Sequence, residues 1–377
     1  MIRLIALTLA LTVATAAAGE AALPFEIEAI ARFDEPWALA FLPDGRLLVT
    51  EKKGNLRVVS RDGTVSSPVR GVPDVAYGGQ GGLGDVAVHP DFAANGLVYL
   101  SYAEAGVDDT RGAAVARGRL SFDDRDRGTL GDVEVIWRQY PKVLGYGHYG
   151  HRLLFHDGHL WITSGDRQKF TPAQDMQASL GKVLRLDDDG SVPQDNPFVD
   201  HRSTDPRVDD EGVYPQVWSL GHRNPLGIAA AADGRLWAIE MGPSGGDELN
   251  VIRRGANYGY PLVSNGDHYD GRTMPDHDTR PEFTAPAAWW TPVISPGDLM
   301  IYGGDLFAAW QGDALAAGLS SRALVRIELE GDAAREVARY AMGARLRAVA
   351  EGPDGALWVL EDDRGDSDGE LLRLTPR

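Results

Sequence analysis

One pattern recurs along the chain and limits what it can become: a turn dipeptide followed by a short apolar run. Asp44-Gly45 precedes Leu47-Leu48-Val49, Asn95-Gly96 precedes Leu97-Val98-Tyr99, and Asp157-Gly158 precedes Leu160-Trp161-Ile162. Asp233-Gly234 precedes Leu236-Trp237-Ala238, and Asp354-Gly355 precedes Leu357-Trp358-Val359. A weaker copy, Gly312-Asp313, precedes residues 314–319. Before most of these turns another apolar run ends, at residues 38–42, 86–89, 153–155 and 228–231. Two apolar runs around such a turn read as a β-hairpin. The copies start roughly 45 to 75 residues apart, which leaves room for further strands and loops. One small sheet cannot bury both of its faces, whereas sheets stacked around an axis can. Six copies therefore predict an all-β chain, a six-bladed β-propeller of four-stranded antiparallel blades. The competing arrangement is a β-sandwich or a pair of them, which rarely repeats an Asp-Gly-x-Leu-Trp pattern.

Composition agrees. The 45 Gly and 22 Pro are spread along all 377 residues, which favours many short strands. No Pro-rich or Ser-rich linker interrupts the chain, so residues 22–377 are expected to form one catalytic domain. Residues 1–18 differ: Arg3, an apolar run at 4–13, and Ala16-Ala17-Ala18 read as a secretory signal peptide. The run is short for a membrane anchor, and no later segment reaches a spanning length, so no membrane span is expected in the mature chain. The absence of Cys excludes disulfides, thiolate metal sites and a Cys nucleophile. A net charge of −18 repels phosphate, and with no basic helix or nucleic-acid motif no nucleic-acid partner is expected.

Five polar segments stand apart from this scaffold. Gln80 is the one functional side chain within Gly78-Gly79-Gln80-Gly81-Gly82-Leu83-Gly84, a run whose backbone can approach a ligand closely. His148 sits in Gly145-Tyr146-Gly147-His148-Tyr149-Gly150, where an imidazole can take a proton near neutral pH. Arg223 and Asn224, in Gly221-His222-Arg223-Asn224-Pro225, offer a dense set of donors for charge developing on oxygen. The stretch from Glu240 through Gly242, Pro243, Asp247 and Glu248 to Asn250, with Tyr258 beyond it, supplies carboxylates and carbonyls of the kind Ca²⁺ prefers. Arg345 and Arg347 lie two apart in a strand, on one face, and suit a polycarboxylate.

Together these segments resemble the soluble quinoprotein glucose and aldose sugar dehydrogenases, which use pyrroloquinoline quinone (PQQ). The resemblance also covers His89-Pro90-Asp91-Phe92, Gly181-Lys182-Val183-Leu184-Arg185-Leu186 and Asp247-Glu248-Leu249-Asn250, in the same order. It implies oxidation of an aldose at its anomeric carbon to a lactone, with electrons passed from PQQ to an external acceptor. It implies His148 as general base, Gln80 as a sugar-holding residue, and Arg223 and Asn224 at the quinone oxygens. Arg345 and Arg347 would pair with cofactor carboxylates, and Gly242 and Pro243 would bind the Ca²⁺ that touches the quinone. Glu248 and Tyr258 would hold a second, structural calcium. The signal peptide implies a periplasmic or secreted protein, expected as a monomer or homodimer.

The chain departs from some relatives in three places. Gly147 stands where they have a carboxylate or amide before the base, and Met241 where they have Gln. Some place a Lys near Gly318-Leu319-Ser320-Ser321-Arg322, a charge that Arg322 could supply here. No G-x-G-x-x-G strand–helix unit suggests NAD or FAD on a Rossmann domain. The competing functions are a calcium-dependent propeller lactonase or esterase, and a carbohydrate- or partner-binding propeller without chemistry.

Overall fold

A computed structural model describes residues 23–201, 214–364 and 368–377. The proposed signal peptide, residues 1–18, lies outside the described residues. The strands form six antiparallel sheets around a ring. Blade 1 comprises Pro36–Phe41, Leu47–Glu51 and Asn55–Val59. Blade 2 comprises Leu83–Val88, Leu97–Ala105, Arg111–Phe122 and Gly128–Arg138. Blade 3 comprises Gly150–His156, His159–Ser164, Lys182–Leu186 and Val217–Leu220. Blade 4 comprises Pro225–Ala230, Leu236–Glu240, Asp247–Ile252 and Ala288–Trp290. Blade 5 comprises Pro296–Ile301, Ala314–Gly318, Ala323–Glu330 and Ala333–Ala341. Blade 6 comprises Leu346–Glu351, Leu357–Glu361 and Glu370–Pro376, and is completed by Phe25–Arg32 from the other end of the chain. Phe25 pairs with Pro376 and Ile27 with Leu374, so the two ends close the ring.

The expectation of four-stranded blades holds for blades 2 to 6. The outer edge of blade 1 is irregular. Ser66 N and Val69 N bond to Val58 O and Leu56 O, but between them Pro68 has no N–H to donate, so no regular fourth strand forms.

Each repeated turn joins the first and second strands of a blade. Its glycine takes a left-handed backbone in all six copies, from φ 67° at Gly96 to 85° at Gly234. That common demand explains the recurring Asp-Gly or Asn-Gly signal. Strand alternation then builds the core. In blade 4, Leu236 and Ala238 pack against blade 3, whereas Trp237 and Ile239 pack against blade 5. In blade 1, Leu48 faces blade 2 while Leu47 and Val49 face blade 6. The apolar core is thus six slabs, one between each pair of neighbouring blades.

The inner strands meet around Arg152 of blade 3, which is 3% exposed. Its guanidinium donates to Leu226 O of blade 4, Gly297 O of blade 5 and Arg347 O of blade 6. It pairs with Asp85 of blade 2 at 3.3 Å and with Asp298 of blade 5 at 3.5 Å. It also lies 4.1 Å over the ring of Trp37 in blade 1. One side chain therefore touches all five other blades.

Candidate active site

The six hairpins close on one face of the ring, at the repeated turns, and open on the other. Residues just before an inner strand and just after a second strand therefore converge on the open face. Gln80 precedes the inner strand of blade 2, His148 that of blade 3, and Arg223 and Asn224 that of blade 4. Arg345 precedes the inner strand of blade 6, and Arg347 lies in it. Gly242 and Pro243 follow the second strand of blade 4.

His148 is buried, and its Nδ1 lies 2.7 Å from Asp166 Oδ1. An ionised carboxylate only accepts, so Nδ1 carries the hydrogen and Nε2 keeps its lone pair. Asp166 follows the second strand of blade 3 and is a residue that sequence reasoning missed; it supplies the orientation that Gly147 cannot. Gly165 beside it is obligatory, because a Cβ there would sit 2.2 Å from His148 O. Burial lowers the His148 pKa below the usual imidazole value; Asp166 opposes this, and the Arg223 and Arg167 charges add to it. The His148 imidazole is therefore neutral at neutral pH.

Two further contacts fix the loop that carries it. Gln80 Oε1 accepts His148 N at 2.7 Å, leaving the Gln80 amide N–H groups for a ligand. Arg167 donates to Gly147 O, Gly145 O and Arg111 O at 2.6–2.8 Å, and its guanidinium lies 3.7 Å from the Tyr149 ring centroid. His151, the other histidine of this segment, bonds to Ser101 Oγ at 2.7 Å and stacks on Trp37 at 4.9 Å. Burial and the Arg152 charge hold it near pKa 3, with no carboxylate to orient it.

Below Gln80 lies a cavity of about 220 Å³, lined among others by Trp37, Lys52, His151, Met241, Leu319, Arg345, Arg347 and Arg364. Arg345 Nε and Arg347 Nη2 both donate to Asp362 Oδ2, at 2.9 and 3.1 Å. Burial lowers the Arg347 pKa to about 10. A second hollow of about 230 Å³ opens beside His148, with Gln168, Phe170, Arg223, Tyr260 and Tyr269 in its wall. A larger hollow near Asp44, Trp358 and Arg373 lies among the repeated turns on the opposite face, away from His148.

A buried polar atom without a protein partner can be satisfied by a ligand, an ion or water, and several such atoms lie near His148. Both Asn224 Oδ1 and Nδ2 are buried and unbonded, as is Arg223 Nε. These atoms, with the paired arginines, fit a planar polycarboxylate carrying carbonyl oxygens. The proposed calcium positions have suitable donors too. Glu248 is buried, and desolvation and the nearby Glu240 raise its pKa well above the carboxylate range. Asn250 Oδ1 and His277 Nδ1 are buried and unbonded nearby; His277 Nε2 lies 3.1 Å from Tyr258 O, and its Nδ1 stands 3.8 Å from Glu248 Oε1. A buried carboxylate pair with orphaned acceptors fits a cation. At Gly242 the carbonyl accepts Arg223 Nη1 at 2.7 Å, so a cation there would share that oxygen or displace the guanidinium. Among the described residues no cluster of three or more His, Asp or Glu has metal-site geometry.

Arg322 does not enter the cavity. It is exposed, with its Nη1 donating to Gly343 O, while Leu319 takes the place facing the cavity. Met241 lies in the cavity wall, and its carbonyl accepts Arg223 Nη1 at 2.9 Å.

The chain is 39% identical over 355 residues to the aldose sugar dehydrogenase YliI of Escherichia coli (strain K12), covering 92% of this chain and 91% of that protein. Its fold matches the apo-form crystal structure of the soluble aldose sugar dehydrogenase of Escherichia coli with TM-score 0.84 and 37% identity, over 94% of this chain and all of that one. It matches the PQQ-bound aldose sugar dehydrogenase of Streptomyces coelicolor with TM-score 0.73 and 29% identity, over 94% and 98% of the two chains. The family model described as Glucose / Sorbosone dehydrogenase matches residues 33–373, and the chain belongs to that family.

Proposed function

We propose that this chain is a PQQ-dependent dehydrogenase that oxidises the anomeric carbon of aldoses to lactones. The observation that carries the reading is the buried His148–Asp166 pair: His148 lines one hollow, and its backbone N–H donates to Gln80, which lines the cavity that holds Arg345 and Arg347. PQQ, when bound with Ca²⁺, supplies the acceptor for a hydride. Arg345 and Arg347 would hold its carboxylates, and Arg223 and Asn224 its quinone oxygens. Gly242 and Pro243 would offer carbonyls to the catalytic Ca²⁺, and Glu248 and Tyr258 to a structural one.

The protein's own part is proton transfer and positioning. His148 Nε2 takes the proton of the anomeric hydroxyl. Asp166 stabilises the imidazolium that results, through the Nδ1–H bond already in place. The Gln80 amide donates to a sugar hydroxyl while its carbonyl keeps the base loop in register. Loss of one proton and one hydride converts the hemiacetal carbon to the lactone carbonyl, and the electrons leave to an external acceptor. The apolar run at 4–13 supports action outside the cytoplasm, and no described helix is long and apolar enough to cross a membrane.

Reconstitution tests the reading. Apo-protein is expected to reduce a dye with aldoses only after both PQQ and Ca²⁺ are added. Full activity with NAD, or after exhaustive chelation and quinone removal, would refute it. Arg345→Ala and Arg347→Ala are each expected to weaken PQQ binding about tenfold or more.

A further inference from the structure

The cavity below Gln80 carries more positive charge than its paired arginines account for. Arg345 and Arg347 share Asp362 Oδ2, and Arg364 Nε stands 3.6 Å from Asp362 Oδ1. Among the described residues, three guanidiniums thus gather around the carboxylate of Asp362. Lys52, in the same wall, is matched singly: its ammonium pairs with Glu35 at 3.2 Å and donates to Gly79 O. Among the described residues this arginine cluster carries a surplus of cationic charge, and like charges held this close favour an incoming anion.

Among the described residues, blade 5 contributes no cation to this wall. Its nearest residues there are Leu319 and Ser295, and Arg322 points its guanidinium to Gly343 O instead. Arg364 differs from its two neighbours in access. Its side chain is 46% exposed, against 26% for Arg345 and 8% for Arg347. It can exchange its 3.6 Å pairing for a ligand carboxylate with little desolvation, whereas Asp362 fixes the other two by direct hydrogen bonds.

We propose that Arg364 is a third guanidinium anchor for the carboxylates of PQQ, a tricarboxylate, and that it replaces the cation which blade 5 does not provide. The proposal rests on the quinone reading of the site.

The test is a PQQ titration of the calcium-loaded apo-protein, read by tryptophan fluorescence, since Trp37 lines the cavity. Arg364→Gln is expected to weaken binding about tenfold and to flatten its dependence on salt. Arg364→Lys is expected to retain part of the affinity. Arg322→Gln is expected to bind as the parent does, and all variants to melt together. Unchanged affinity in Arg364→Gln overturns the proposal, as does an equal loss in Arg322→Gln, which would mean a general surface-charge effect. Failure of the parent itself to bind PQQ would instead bring down the quinone reading, and this proposal with it.

Discussion

Arg152 and Asn224 are both buried polar side chains of the inner ring, in neighbouring blades, and they differ in satisfaction. Arg152 has carbonyl or carboxylate partners in four other blades and an aromatic face in the fifth. Asn224, 1% exposed, has no partner for either amide atom. A saturated buried network stabilises and fixes a structure, whereas an unsatisfied one costs free energy until something binds. The ring is thus locked at its axis and left open in its chemistry on the face above.

Four predictions probe that contrast. Removing the axial charge should have the largest effect on stability. Arg152→Met leaves Asp85 and Asp298 buried without their cation, and a loss of about 3–5 kcal/mol is expected in urea unfolding. Asn224→Ala removes a group that has nothing to lose, so stability should stay within about 1 kcal/mol of the parent while PQQ affinity falls. Similar destabilisation by the two changes would erase the distinction.

The second prediction concerns turnover. His148→Ala should lower it by about 10²–10⁴-fold with quinone still bound. His151→Ala should affect melting more than turnover, since its ring packs on Trp37 and Ser101. The reverse pattern would mean that the base is misassigned.

The third uses pH. A base must be deprotonated to act, and burial depresses the His148 pKa, so activity should persist below the ordinary imidazole value and fall at more acid pH. Asp166 is the interaction that raises this pKa. Asp166→Asn should therefore move the acid limb to still lower pH, along with a fall in turnover. A shift to higher pH in the rate profile would contradict the role given to Asp166.

The smallest effect is expected at Glu248. Ca²⁺ that binds only the folded chain raises its melting temperature by mass action. Glu248→Gln should shrink that rise, and a calcium response equal to the parent's would remove Glu248 from the site.

The recurring turn glycines made the blades legible in sequence, because each copy meets the same backbone demand and strand alternation does the rest. The placement of Gln80, His148, Arg223 and Arg345 together was legible because each lies just before an inner strand, behind a Gly-rich or polar motif. The placement of Asp166, Asp362 and Arg364 was not, since only the hairpin closure brings them to His148 and the arginine pair. A signal for them did exist: each falls one to three residues beyond a second strand, as Lys52 and Gly242 also do. Aligning the repeats would have marked that position as the one facing the site. The role of Arg152 had no such mark, because its partners come from every other blade and lie far apart along the chain.

The pairing of Phe25–Arg32 with Glu370–Pro376 places the two ends of the described chain side by side, with Arg377 N donating to Pro24 O at 3.2 Å. A short linker could therefore join them, and the covalent break could be moved elsewhere in the circle. The exposed Asp233-Gly234 turn is a suitable place to cut, since it lies at the closed end of its hairpin, away from His148. Blade 6 would then be continuous and blade 4 would become the seam. A circular permutant of this kind is expected to fold around the same Arg152, with its new termini on the far face and the approach to the base unobstructed.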